Sequence, residues 1–104
     1  MYKGTTNPDE TRKVVVVEDG EEKDLPLRLD LANHSPDGFN WGYGGSGPSQ
    51  LALAILAYHT TDSLALEYYQ QFKWSFLFFL HEDSWCIIDR QISTWLSSQQ
   101  VTPQ

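Results

Sequence analysis

The order of elements along the chain predicts an α+β domain, in which strands come first and helices follow. Two β-type stretches, Arg12–Glu18 and Lys23–Leu31, flank an Asp19-Gly20 turn signal. After them comes an apolar run, Leu51–Tyr58, introduced by Gly47-Pro48. This order points to a small antiparallel sheet, an N-terminal hairpin plus a short strand, packed on about three C-terminal helices. A doubly wound parallel sheet would alternate strand and helix, and this chain does not.

Tyr2–Thr5 reads as a short first strand, and Thr6–Thr11, with Pro8, as a turn. Arg12–Glu18 contains four consecutive valines, whose branched β-carbons favour extended backbone. Asp19 and Gly20 tolerate the positive φ that a tight hairpin demands. In the return segment Leu25, Leu27, Leu29 and Leu31 alternate with Asp24, Pro26, Arg28 and Asp30, the period of a half-buried strand. Pro26 cannot donate to a ladder, so an open side is expected there. Ala32–Gly47 is a long loop; loops of that length are usually functional or disordered, and Phe39, Trp41 and Tyr43 argue for packing over disorder.

At the end of the loop Gly47 is read as helix N-cap, Pro48 as its first residue and Gln50 as a reciprocal capping side chain. The helix that follows is apolar nearly all round and is expected at the centre of the fold. Thr61 or Asp62 caps a second helix, extended here to about Leu80. Leu64, Tyr68, Phe72, Phe76 and Phe79 share one of its faces, with Leu66, Tyr69, Lys73 and Leu77 on the next. Trp85–Ile88 is a short extended segment. Asp89 then caps a last helix with Ile92, Trp95 and Leu96 inward, and residues 98–104 are read as a frayed tail of this single 1–104 domain.

Composition narrows the function classes. The 104 residues are 40% hydrophobic and 13% aromatic, enough for one packed core. The net charge is −7, with seven Lys and Arg and no basic run, so direct nucleic-acid binding is not expected. The longest apolar run is far short of the roughly 20 residues a bilayer span needs. No charged and then apolar segment opens the sequence, so a cytoplasmic location is expected. The single cysteine, Cys86, lies among Trp85, Ile87 and Ile88 and is expected to be buried and inert.

The most distinctive stretch is Gly38–Pro48, GFNWGYGGSGP, with five glycines and three aromatics. Gly42, Gly44 and Gly47 satisfy G-x-G-x-x-G. That fingerprint, however, needs a strand immediately before it and an acidic residue on a second parallel strand after it. Both are missing. No lysine follows the last glycine as in a phosphate-binding P-loop, and Pro48 occupies the last glycine of a nucleophile elbow. The plainer reading is that the glycines permit positive φ and close packing beneath Trp41 and Tyr43. No cofactor is expected. "HEDSWC" offers His81, Glu82, Asp83 and Cys86, but no paired metal-ligand spacing exists, so no metal is expected either.

The candidate binding residues are Arg28, Asp30, His34, Trp41, Tyr43, Ser46 and Gln50. Arg28 and Asp30 are two apart on the expected strand and would share a face. With His34 and Ser46 they could converge on a carboxylate or serve acid–base chemistry. The competing reading is an Asx/Ser-Pro turn that uses His34 and Asp30 to tie the loop in place.

The residues YKG at Tyr2–Gly4, the block LPLRLDLANHSPDGFNWGYGGSGPSQLALAIL at Leu25–Leu56, YYQQFKW at Tyr68–Trp74 and the late Trp85 and Ile92 carry a resemblance. The chain resembles domain-of-unknown-function family 6166, small proteins of bacteria, phages and plasmids. The family pattern often has alanine at Ser49, and Ser75–Leu80 is more aromatic here than the family leads one to expect. The resemblance implies no activity. It directs attention to His34, Pro36, Gly38, Phe39, Trp41, Gly42, Tyr43, Gly45, Ser46, Gly47, Pro48 and Gln50, which match its signature.

Three functions fit the sequence. The first is a non-enzymatic binding module that uses the signature loop with Arg28 and Asp30 on an unknown protein partner or a small anionic ligand. The second is an acidic nucleic-acid mimic or host-defence inhibitor of a mobile element, built on the hairpin Glu18–Asp24. The third is a small hydrolase or transferase centred on His34 with Asp30 or Ser46. The aromatic run Phe72–Phe79 is read as core and helix contact rather than a ligand cage, and any part left exposed would make a homo-oligomer interface.

Overall fold

The computed structural model describes residues 1–100. It contains a four-stranded antiparallel sheet and three α-helices, the predicted α+β arrangement. The strands are β1 (Tyr2–Thr6), β2 (Arg12–Glu18), β3 (Glu21–Asp24) and β4 (Trp85–Ile87), in spatial order β3-β2-β1-β4. The helices are α1 (Ser46–His59), α2 (Asp62–Phe72) and α3 (Asp89–Gln100), and a π-helical turn, Lys73–Leu77, continues α2.

The register explains which sheet face meets the helices. Tyr2 stands opposite Val16 and Ile87, and Gly4 opposite Val14 and Trp85, so all six share one face. The five side chains there join the core cluster with α1. Lys3, Lys13, Glu22 and Asp24 fall on the other face, where Lys3 pairs with Glu22 at 3.1 Å and Lys13 with Asp24 at 3.6 Å. Cys86 alternates with Trp85 and Ile87, so it is exposed rather than buried. Its apolar neighbours in sequence misled because strand side chains change face at every step.

Gly4 is where the sheet admits an indole. A β-carbon on Gly4 would overlap the Trp85 ring, with Cζ2 only 2.7 Å away. The expected result for Gly4→Val is a loss of about 1–3 kcal/mol from overpacking, read as an earlier urea midpoint. Gly20→Ala, in open space, tests only left-handed backbone strain.

The return strand is shorter than the leucine alternation suggests. β3 stops at Asp24, and Leu25 N–H makes the last bond across, to Val14 O at 3.2 Å. Leu25 is a bonded position, so Pro26 falls where an N–H would face the open edge, and the chain leaves β2 where Arg28 adopts a left-handed φ of 58°. Leu31 N–H then closes a turn onto Arg28 O at 3.0 Å. Leu25 is buried and Leu29 is exposed, which no single strand face would give.

α1 is buried from Gly47 to Ala57, the central helix its composition predicts. It starts earlier than expected. Gly45 is the N-cap and makes no side-chain capping bond, Pro48 lies within the first turn, and Gln50 turns inward instead of capping. Proline is tolerated there because first-turn N–H groups have no helical acceptor. Thr61 caps α2 by accepting Leu64 N–H at 3.2 Å. Past Phe72 the chain widens to i→i+5 bonding, Phe78 N–H to Lys73 O at 2.9 Å. The extra residue rotates the inward face, so Lys73 and Leu77 are buried while Phe79 turns out. Phe72, Phe76 and Trp95 form an aromatic cluster that holds α3. Ile92 and Leu96 are buried. The helix runs to Gln100, so residues 98–100 are helical and the rest of the expected frayed tail lies outside the described residues.

Candidate functional site

The signature loop is fastened from both sides. Trp41 is buried against Trp85, centroids 5.4 Å apart and edge-on, and its Nε1–H donates to Glu82 O at 2.9 Å. Arg12 of β2 lies over the Trp41 ring at 4.2 Å. Its Nη1 donates to Asn40 Oδ1 at 2.6 Å and Trp41 O at 3.1 Å. Gly42, at φ 89°, donates its N–H to Leu77 O at 2.9 Å. A β-carbon on Gly42 would stand 2.7 Å from Leu80 O, so the glycine serves both the dihedral and the close approach.

Gln50 is fully buried and holds the earlier half of the loop. Its Oε1 accepts from His34 N–H at 2.7 Å and Ser35 N–H at 3.1 Å. Its Nε2 donates to Leu27 O at 2.6 Å and Ala32 O at 3.1 Å. Both ends of the amide are satisfied, so Gln50 is the loop's anchor and has no free polar atom to offer a ligand. His34 Nε2 is 2.8 Å from Tyr69 Oη. Among the described residues no hydrogen bond links His34 to Asp30 or Ser46.

Arg28 and Asp30 lie elsewhere. The guanidinium makes paired bonds to Asp30, at 3.0 and 3.1 Å, and to Asp62, at 3.0 and 2.8 Å. These hydrogen bonds hold the Asp30 carboxyl below its ordinary value and raise the guanidinium's. Asp62 opens α2, just beyond the C-terminal end of α1, whereas Tyr43 covers Gly45 and Gly47 at the N-terminal end. A helix of 14 residues separates those ends by about 20 Å. The structure therefore does not bring Arg28 and Asp30 beside Trp41 and Tyr43.

An open groove does lie along the loop. It has a volume of about 770 Å3 between the β1–β2 turn and the loop, with Asn7, Glu10, Arg12, Asn40, Tyr43 and Asp83 in its lining. A second lobe of about 300 Å3 shares Arg12, Phe39, Asn40 and Tyr43 and reaches Ser46 and Gly47. Asp9 shapes the turn by accepting from Thr11 N–H and Oγ1–H, which lowers its own pKa. Asp83 Oδ1 is 3.9 Å from Arg12 Nη2. Tyr43 is 44% exposed, whereas Trp41 is core. Of the sequence candidates, Tyr43 and Ser46 reach this groove at its surface. Arg12 and Asn40 were missed because their roles depend on a strand 28 residues away meeting the loop.

The sequence from Tyr2 to Ser98 matches the model of DUF6166, a family of unknown function. The chain belongs to that family. No curated protein and no solved structure matches it. In this DUF6166 chain Trp41, Gly42 and Gln50 fasten the loop, while Tyr43 and Ser46 are exposed.

A smaller cavity, about 230 Å3, lies at the opposite part of the sheet between Tyr2, Glu18, Tyr58, His59 and Asp89. Tyr58 Oη–H bonds Glu18, and burial raises the Tyr2 phenol above its ordinary value. His59 Nε2 is 2.9 Å from Ser93 Oγ, and burial lowers the imidazole's pKa. Ser93 is exposed on α3 and outside the cavity lining. Among the described residues no three His, Cys, Asp or Glu cluster to hold a metal ion, and no helix is long and apolar enough to cross a membrane.

Proposed function

We propose that the chain is a non-enzymatic binding module whose partner enters the groove beside the signature loop. One observation carries the reading: a preformed groove, walled by the loop and the Asn7–Glu10 turn, has the Arg12 guanidinium and Asn40 amide fixed in its lining. Arg12 is held by β2, Asn40 and the Trp41 ring, so a ligand would not have to order it on arrival. Among the described residues the Asn40 Nδ2 donors have no hydrogen-bond partner, and an acceptor such as a peptide carbonyl would complement them. Clefts with a few converging polar groups are the usual form of binding sites.

Tyr43→Ala is the discriminating variant, because Tyr43 lines both lobes at the surface while Trp41 is part of the core. The variant is expected to stay folded, with a stability change within about 1 kcal/mol. It should lose a partner that the wild type recovers from host lysate. Recovery of the same partner by the folded variant counts against the groove.

A further inference from the structure

We infer that the aromatic surface formed by Trp74, Phe78 and Phe79 docks an apolar protein segment flanked by lysine or arginine. The inference rests on the binding-module reading and names the partner's chemistry. Trp74 is 48% exposed and Phe79 68%. Phe78 joins them, its ring 4.9 Å from each. The stretch Trp74–Leu80 contains no charged residue, in a chain with fourteen acids.

Three features make this surface more than stray exposed rings. It is built on a π-helical turn, a distortion concentrated at functional sites, which swings Phe79 outward in place of the buried Leu77. It is braced from within: Lys73, only 6% exposed, sets its ammonium 4.6 Å from the Trp74 centroid and donates to Gly44 O at 3.3 Å and Ser49 Oγ at 3.2 Å. It also adjoins the signature loop, since Gly44 leaves room for Trp74 Cη2, which a β-carbon there would approach to 2.6 Å. The surface thus runs from Phe79 across Trp74 to Gly44 and on to Tyr43 at the groove.

Charge chooses the occupant. Glu82 and Asp83 lie within four residues of Phe79, so their backbone is at most about 15 Å away. Both are exposed; Asp83 lies 3.9 Å from Arg12, whereas Glu82 has no ion-pair partner among the described residues. A second copy would bring its own Glu82 and Asp83 to this rim, and an anionic membrane would repel it. A segment with an apolar face and basic flanks gains from both parts, with Lys or Arg also able to stack on the exposed rings.

The test is selection of a random-peptide phage library on the full-length protein, followed by titration of the enriched synthetic peptides. Enriched sequences should combine apolar residues at helical spacing with Lys or Arg. Their affinity should fall about tenfold or more with Phe79→Ser and further with Phe79→Lys, and should weaken with added salt. Phe79 is mostly exposed, so both variants should keep the wild-type unfolding curve; Trp74→Ser, at the same surface, provides a second perturbation should either fail to fold. Enrichment of acidic peptides, unchanged affinity in the folded variants, no enrichment above that on an unrelated acidic protein, dimerisation through the patch in sedimentation, or binding to anionic vesicles would each overturn the inference. Peptides that are insensitive to Phe79 but lost with Tyr43→Ala would overturn it while leaving the groove reading intact.

Discussion

Trp41→Ala should destabilise the protein by about 3–5 kcal/mol, the range for emptying a large buried aromatic site. The indole is 2% exposed and packs edge-on against Trp85. Removing it leaves a cavity, strands Glu82 O without the Nε1–H donor, and takes away the ring over which Arg12 lies. A domain of this size has a total stability of roughly 5–15 kcal/mol, so the loss is about a fifth of it or more. Chemical denaturation measures it directly. Trp41→Phe separates the contributions: it keeps most of the packing and loses the hydrogen bond, and should cost only about 1–2 kcal/mol. If Trp41→Ala costs less than about 1 kcal/mol, the loop is not part of the core. A merely surface-lying signature loop would tolerate the change.

Gln50→Leu should cost about 3 kcal/mol or more, although it replaces a polar residue with an apolar one inside the core. The substitution leaves four backbone groups without their partner: the N–H groups of His34 and Ser35 and the carbonyls of Leu27 and Ala32. Each buried group left unsatisfied costs about 1–3 kcal/mol, reduced where the loop can relax to water. Hydrogen exchange gives the local readout. The His34 and Ser35 amides should lose protection in Gln50→Leu even where the sheet amides keep theirs. Gln70→Leu, at an exposed site, is the control and should stay within about 0.5 kcal/mol of wild type. Equal effects at the two glutamines would rule out the anchoring role of Gln50.

These two residues show how much of the fold was legible in the sequence. The valine run, the Asp19-Gly20 turn and the apolar Leu51–Tyr58 segment each carry a local signal, and each marks the element it predicts. The leucines at Leu25, Leu27, Leu29 and Leu31 carry an equally clean period, yet only Leu25 takes part in the sheet, by one bond. The left-handed Arg28 overrides the pattern, because a backbone turn takes the chain off β2 whatever the side-chain period. The inward rotation at Lys73 had no local signal either. The π-helical turn ends at Leu77, whose carbonyl accepts the Gly42 N–H of the neighbouring loop.

The candidate site divides in the same way. Tyr43 and Ser46 reach the groove, whereas Gln50 and Trp41 prove to be fasteners, and Arg28 and Asp30 form a salt-bridge pair with Asp62 about one helix length away. The sequence by itself determined the α+β class, the central helix, the lone cysteine and the unusual loop, because these follow from short-range periodicity and composition. Only the tertiary structure decided that Arg12 meets Asn40, that Lys73 braces Trp74 beneath Gly44, and that Phe79 faces out. Those contacts join segments roughly 30 residues apart. Their geometry is set by how the sheet, α1 and the π-helical turn pack together, which no local propensity encodes.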